Sequence, residues 1–433
     1  MENPKPKTRP LSYLSFRYIL GFMDPSFRIQ LALQIPEIRS IIACLPLKID
    51  YLKLDTTSTT INHLKFTVSV FREYSTQKPP LEVSGNVDHD LDEFGFRFHP
   101  EVAPGDVVLC EIPQEIVSKA EIKSQLRLYR RRFRNFYLLE EQEEEAVAHW
   151  RRQLLPFEYQ KKGKKSPCKL HLQLEVYNDE TSENQVFRFS YTMRILEALR
   201  ELNSILFGNR RVVCDVERLE IDTPILRLAL AGKKMRVAEV EIGDFHLAEK
   251  THVERNINFD ALKSLIHETS YPLHSLKFHG QKPFPGMFDS EVLKDITNLI
   301  LYRQGDTERH SWGAELVKLS AFKYFGWHDV EFEDCQKLIQ LFQRKECAVR
   351  TSYSFRTHLH RVEEILQRFR EDPERIGSED DYVIFPMTNP LHCVGVFNKS
   401  TNNDAVLEIG VYRIAQDQEE EDDEENEDED DDE

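Results

Sequence analysis

Between Val216 and Phe332 the chain repeats one short pattern: apolar, two residues, apolar, one residue, apolar. It occurs as Val216/Leu219/Ile221, Val237/Val240/Ile242, Leu273/Leu276/Phe278, Ile296/Leu299/Leu301 and Trp327/Val330/Phe332. The last two apolar positions of each are two residues apart, so they share one face of a strand. Glu220, Glu241 and Glu331 fall between them and should point to the opposite face. The instances begin roughly 20 to 36 residues apart, within the range of solenoid repeats. Helical stretches fill several gaps. The expectation is a stack of strand–helix units, each burying its apolar face against its neighbours. Five ordinary strands of an α/β domain fit the same triplets, because a chain 40% apolar produces them readily.

Upstream, three short helices are predicted. Phe16, Ile19, Leu20 and Met23 follow helical spacing. Asp24 can cap a second helix, Pro25 suits its first turn, and Phe27, Leu31 and Ile35 form its stripe. Pro36 starts a third, with Ile38, Ile41, Ile42 and Leu45, which Pro46 ends. Three helices this short cannot bury all of these groups on one another. The remainder must face the rest of the chain or a partner.

Alternation then predicts strands at Leu47/Ile49, at Leu64–Val70, at Leu170–Val176 and at Phe187–Met193. The last two form an antiparallel hairpin across Asn178–Asn184. A loop spans 75–106, and a long charged helix spans 114–155. Ile195, Leu199, Leu202 and Leu206 mark a helix closed by Gly208. Beyond the repeat tract, Cys335–Phe342 and His358–Arg370 read as helices. Val383–Phe385, Val394–Phe397 and Val406–Tyr412 read as strands capping the stack. The class expected is α+β. The expected regions are helices over 10–46, strands, loop and charged helix over 47–165, a repeat-like domain over 166–414, and a tail over 417–433.

Charge changes this picture only at the end of the chain. Of the formal charge of −18, 15 carboxylates lie in Asp417–Glu433, which leaves the body near −3. That tail has no apolar residue and is expected to be disordered. No basic excess marks nucleic acid as the main partner. Arg127–Arg134 are followed by Glu140–Glu145, which reads as a solvated helix laced by its own charges. Lys161–Lys165 reads as a flexible basic connector or a nuclear-localisation patch. Seven scattered cysteines without a C-x-x-C pair suggest reduced thiols in the cytoplasm or nucleus. No signal-type start and no membrane-length apolar run appear, so no membrane is expected.

Candidate chemistry is sparse. Asp88-x-Asp90-x-Asp92 suggests calcium, but Glu93 and His99 stand where such a loop needs Gly and Glu. His358-x-His360 and the Cys335/Cys347 pair match no structural zinc spacing. Phosphate-binding, dinucleotide, zinc-protease and serine-hydrolase motifs are absent. The expectation is a protein that is not an enzyme, with no cofactor and no metal.

The stretch "PLSYLSFRYILGFMDPSFRIQLALQIPEIRSI" resembles an F-box. Leu11, Ile19, Leu20, the Asp24-Pro25 turn, Leu31 and Ile41 fall on that motif's pattern. The usual opening Leu-Pro stands reversed as Pro10-Leu11, and Ile38 and Arg39 occupy the region of the usual late Trp. The triplet tract is similar to leucine-rich repeats, though the closing Asn or Cys is missing after each triplet. With "DLDEFGFRFHPEVAPGD", Gly208-Asn209-Arg210, "YPLHSLKF" and "HDVEF" in this order, the chain resembles a nematode-expanded, largely uncharacterised family. That family pairs an F-box-like N-terminus with a leucine-rich-repeat-like body. The resemblance implies a non-enzymatic protein-interaction adaptor of the F-box type, a substrate receptor of a cullin–RING ubiquitin ligase. Leu11, Ile19, Leu20 and Leu31 would then dock the ligase adaptor, and the body would hold an unknown target. Two alternatives stay open. One is an interaction or structural protein whose F-box-like helices belong to the core. The other is an escort of basic proteins, such as histones, led by the acidic tail.

Overall fold

Four of the five triplets lie side by side in one parallel ladder. The strands are β8 (Cys214–Asp222), β10 (Arg236–Ile242), β11 (Ser275–His279) and β12 (Asn298–Tyr302). Val216 pairs with Val237, Leu219 with Val240, Val240 with Leu276, and Leu276 with Leu299. The second apolar position of each triplet therefore forms one continuous row, and every member is fully buried. A fifth strand extends the ladder: β1 (Leu47–Asp55) runs parallel to β8 and aligns Ile49, Leu52 and Leu54 with Val216, Leu219 and Ile221. It carries the same triplet, far upstream of the others.

In the computed structural model the described residues are 12–74, 85–98, 102–110, 119–120, 122–124, 127, 140–208, 210–228, 234–243, 257–279, 289–294, 296, 298–302, 332–344, 352–400 and 405–414. Trp327, Val330 and Glu331 of the fifth triplet lie outside them, as do Leu11, His99, Cys347 and the acidic stretch 417–433. Phe332 is described, and it opens a helix instead of closing a strand. The chain divides into two compact units, Met1–Asp306 and Thr307–Glu433.

In the first unit the N-terminal helices are α1 (Tyr13–Phe22), α2 (Pro25–Gln34) and α3 (Arg39–Ile42), with a 3₁₀ turn at Pro36–Ile38 between the last two. The sheet then turns antiparallel through β2 (Ser58–Ile61) and β3 (Leu64–Tyr74). The short β4 (Gly85–Val87) pairs with β3. A separate two-stranded pair joins β5 (Val107–Val108) to β9 (Ile225–Leu226). The charged stretch yields helix α4 (Glu140–Lys161). The hairpin forms as β6 (Cys168–Asn178) and β7 (Glu183–Ser190), with a tighter turn than the sequence suggests. Ser182 takes a positive φ of 57° to close it. The full order is β12-β11-β10-β8-β1-β2-β3-β6-β7, with β4 beside β3. Strands from the 47–165 and 166–414 stretches thus share one sheet.

Helix α5 (Ile195–Phe207) buries Ile195, Leu199, Leu202 and Leu206 and packs against β3. Gly208 does follow its last turn, but at φ −68°, so no left-handed cap is involved. Glycine is needed there because a Cβ would lie 2.3 Å from the Ser204 carbonyl oxygen. The described connections of the parallel ladder are 3₁₀ turns at Phe259–Ser264 and Glu268–Ser270 and the one-turn helix α6 (Glu291–Lys294). Phe259, Leu262 and Leu265 are three apart and all buried, a spacing that suits three residues per turn better than 3.6.

The second unit holds α7 (Phe332–Arg344) and α8 (Leu359–Arg370) with strands β13 (Ser352–Thr357), β14 (Gly377–Glu379), β15 (Tyr382–Pro386), β16 (His392–Asn398) and β17 (Ala405–Arg413). The sheet is antiparallel throughout, in the order β13-β17-β16-β15-β14. These strands, expected as caps of the repeat stack, form a sheet of their own. Its apolar face is covered by Leu338 and Phe342 of α7 and by Val362, Ile365, Leu366 and Phe369 of α8.

Candidate functional site

The N-terminal helices form as the capping residues dictate. Ser12 caps α1 by accepting from the Ser15 amide at 3.1 Å. Asp24 caps α2 by accepting from the Ser26 and Phe27 amides, with Pro25 in the first turn. Arg39 Nε donates to the Ala32 carbonyl at 2.7 Å and so occupies one of the carbonyls that the end of α2 leaves unpaired. The buried Arg28 donates from Nη1 to the Pro46 carbonyl at 2.9 Å, tying α2 to the start of β1. Burial pulls the Arg28 pKa down from its ordinary value, and Asp24 opposes that pull.

Leu20, Ala32, Ile38, Ile42 and Leu45 make the apolar centre of this segment, and Phe16, Met23, Leu31 and Ile41 pack against it. Of the four residues predicted to meet a partner, Leu20 is therefore fully buried, where a surface position was expected. Leu31 is half-buried on the same centre, and Ile19 lies at the surface. Leu11 is outside the described residues. The second stripe of α1 is what the sequence reading missed. Leu14, Tyr18 and Phe22 are 72, 70 and 76% exposed. They are spaced four apart, so they line one face of the helix. The Tyr18 and Phe22 rings lie 4.8 Å apart, and Tyr13, Ile19 and Phe27 extend the exposed apolar area. The signal was present as an i, i+4, i+8 run. A helix apolar on two faces has a second apolar neighbour or lacks one.

The outward face of the parallel ladder is the other feature of note. Cross-strand register places Lys53, Glu220, Glu241 and Lys277 in one row. Lys53 Nζ lies 2.6 Å from Glu220 Oε1 and 3.2 Å from Asp222 Oδ2. Tyr51 donates its hydroxyl to Glu220 Oε2 at 2.5 Å, and the Arg218 guanidinium sits over the Tyr51 ring. His279 Nε2 is 2.9 Å from Glu241, and Lys277 lies within 4.0 Å of both Glu239 and Glu241. Burial raises the Glu220 pKa, but hydrogen bonds from Lys53 and Tyr51 outweigh it and hold the carboxyl below its usual range. This face neutralises itself, as expected of residues that alternate with the buried rows.

The residues considered as metal ligands hold structure together. Asp90 is buried and accepts from the Tyr191 hydroxyl at 2.7 Å and the Ile195 amide at 2.9 Å, so it anchors the start of α5. Asp92 accepts from the Phe94 and Phe96 amides. Cys335 is buried in α7, where desolvation pushes its thiol pKa well up. The His358 and His360 rings stack on each other at 5.6 Å. Among the described residues no three His, Cys, Asp or Glu side chains are placed to hold a metal ion. Among them, too, no helix is long and apolar enough to cross a membrane.

A family profile described as a domain of unknown function (DUF3557) matches residues 194–358. The matched stretch opens at Arg194, immediately before α5, and contains the four parallel strands β8, β10, β11 and β12. The N-terminal helices lie outside it. No curated protein and no solved structure matches the chain.

Proposed function

We propose that the chain is a non-enzymatic protein-interaction adaptor that takes a partner on the exposed stripe of α1. The Leu14–Tyr18–Phe22 stripe carries this reading. Apolar surface concentrated on one helix face, rimmed by polar residues, is the form that partner sites take. In its specific form the proposal is an F-box-type substrate receptor of a cullin–RING ubiquitin ligase. The ligase adaptor would pack on α1, and the leucine-rich-repeat-like ladder would offer its charged outer face to a target. The test measures binding of the purified chain to recombinant ligase adaptor. A Tyr18→Asp/Phe22→Asp variant should lose that binding while its circular dichroism and melting temperature stay close to those of the parent. Failure of the parent chain to bind would overturn the receptor reading.

A second reading is favoured by one observation, the complete burial of Leu20. Here the F-box-like helices are a structural part of the first unit, and the chain is an interaction or structural protein with no ligase. Leu20→Asp would place a charge in an apolar centre. It should unfold the helical segment under either reading, so it does not separate them. The α1 surface variants do.

A further inference from the structure

A cleft of about 480 Å³ lies between α2–α3 and the C-terminal end of α5. That volume is within the range of small-molecule sites, roughly 300–1,000 Å³. Its described lining includes Arg39, Arg210 and Arg211 and no acidic side chain. Apolar groups complete the wall: Ile29, Ala32, Ile42 and Leu206, with the exposed Ile205 at the rim. A neighbouring cleft of about 360 Å³ shares Arg210 and Arg211. There the additional cation, Lys234, already lies 3.5 Å from Glu268. The excess positive charge is therefore concentrated in the first cleft.

The arginines are held in place by the backbone. Arg39 Nε is fixed on the Ala32 carbonyl, and Arg210 Nε on the Leu206 carbonyl at 3.1 Å. Arg211 donates its amide to the Ala43 carbonyl at 2.9 Å, which pins that loop against the end of α3 while its side chain stays exposed. Behind the cleft, burial lowers the Arg210 pKa; Cys214 opposes that, and the like charge of Arg28 adds a smaller lowering effect. An anion in the cleft would offset both lowering effects.

We propose that this cleft binds the phosphate group of a small phosphomonoester, with the organic part against the apolar wall. Arg39 and Arg211, with the charge of the buried Arg210 behind them, match a dianion with several acceptor oxygens better than they match a carboxylate with one charge. The apolar lining favours an aryl or alkyl phosphate over inorganic phosphate.

Isothermal titration of the full chain at constant ionic strength tests this, with phenyl phosphate, inorganic phosphate and acetate as separate probes. Saturable binding is expected in the order phenyl phosphate, inorganic phosphate, acetate. Arg211→Gln removes an exposed side chain and leaves the packing intact. It should weaken phenyl phosphate by roughly ten-fold, as loss of one charge-assisted contact does. Arg236→Gln, on the outer face of β10 beside Asp215, should leave binding unchanged. Absence of saturable binding, equal affinity in the Arg211 variant, or acetate binding as well as phosphate would each overturn the proposal.

Discussion

The two ends of the ten-stranded sheet are built from equally clear alternation, yet they are buried very unequally. At the parallel end Leu219, Val240, Leu276 and Leu299 form a row with no solvent exposure. At the antiparallel end Phe187 and Phe189 stand opposite Leu174 and Leu172, and every residue of β7 is exposed. The difference lies in position, not pattern. Being last in the order does not decide it, since β12 ends the order at the other side and its Leu299 is fully buried; β7 lies two strands out from β3, on which the contacts of α5 centre. Alternation says that a strand has two chemically distinct faces. Whether the apolar face is covered depends on tertiary neighbours that the strand's own residues do not specify.

The strongest test of that contrast lies in the buried row. Leu276→Ala and Leu299→Ala should each cost about 2–5 kcal/mol, the cost of a cavity in a close-packed core. Urea unfolding measures it, and a cost near that of a surface change would mean the row is not the core of the first unit.

Next in size is the tether that joins the region beyond β7 to the rest. Asp90→Ala removes an acceptor from the Tyr191 hydroxyl and the Ile195 amide together, and Ile195 is itself buried. Leaving such donors unsatisfied costs roughly 1–3 kcal/mol. The loss should appear as faster amide exchange at the start of α5. A uniform change over the whole unit would argue against a local anchor.

The charged face of the parallel end should contribute less. Glu220 lies partly exposed between Lys53 and Tyr51, so solvent screening limits its worth to about 1 kcal/mol. Its folded pKa is depressed below the unfolded value of about 4.3. Its contribution is therefore complete above the usual carboxylate range and is lost as pH falls through the lower folded value. The stability gap between the parent and Glu220→Gln should be full at pH 7 and shrink on acidification below about pH 4. A gap independent of pH would mean that the ion pair adds nothing.

What could be read from the sequence follows the same division. The triplets predicted the parallel strands, and their paired residues turned out to be in register, because one row of apolar positions must meet the next to be buried. The matching triplet of β1, Ile49/Leu52/Leu54, went unread, since nothing local announces a pairing with residues so far along the chain. In α1 the sequence carries two apolar stripes, Phe16/Leu20/Met23 and Leu14/Tyr18/Phe22, and either could face inward on spacing alone. Only the position of Ile38, Ile42 and Leu45 decides it, and it buries Leu20. The arginine cleft was invisible for the same reason as β1: Arg39 and Arg210 lie far apart in the sequence and meet only in the fold.

The smallest expected effect is the one that most sharpens the comparison. Phe187→Thr and Phe189→Thr put a β-branched, strand-favouring residue in place of a ring that is already about half exposed. At a core position, loss of a ring costs roughly 3–5 kcal/mol, and Phe66 of β3, which has no exposure, is the matched control. At the edge the change should stay within about 0.5 kcal/mol, the ordinary range for surface substitutions. The double variant should also be the more soluble chain, because an exposed apolar edge strand invites pairing with other molecules. Denaturant unfolding of the two edge variants and of Phe66→Thr, run side by side with light scattering, measures both quantities. If the edge substitutions cost as much as the Phe66 change, something in the folded protein covers β7, and the unequal burial of the two sheet ends would have to be abandoned.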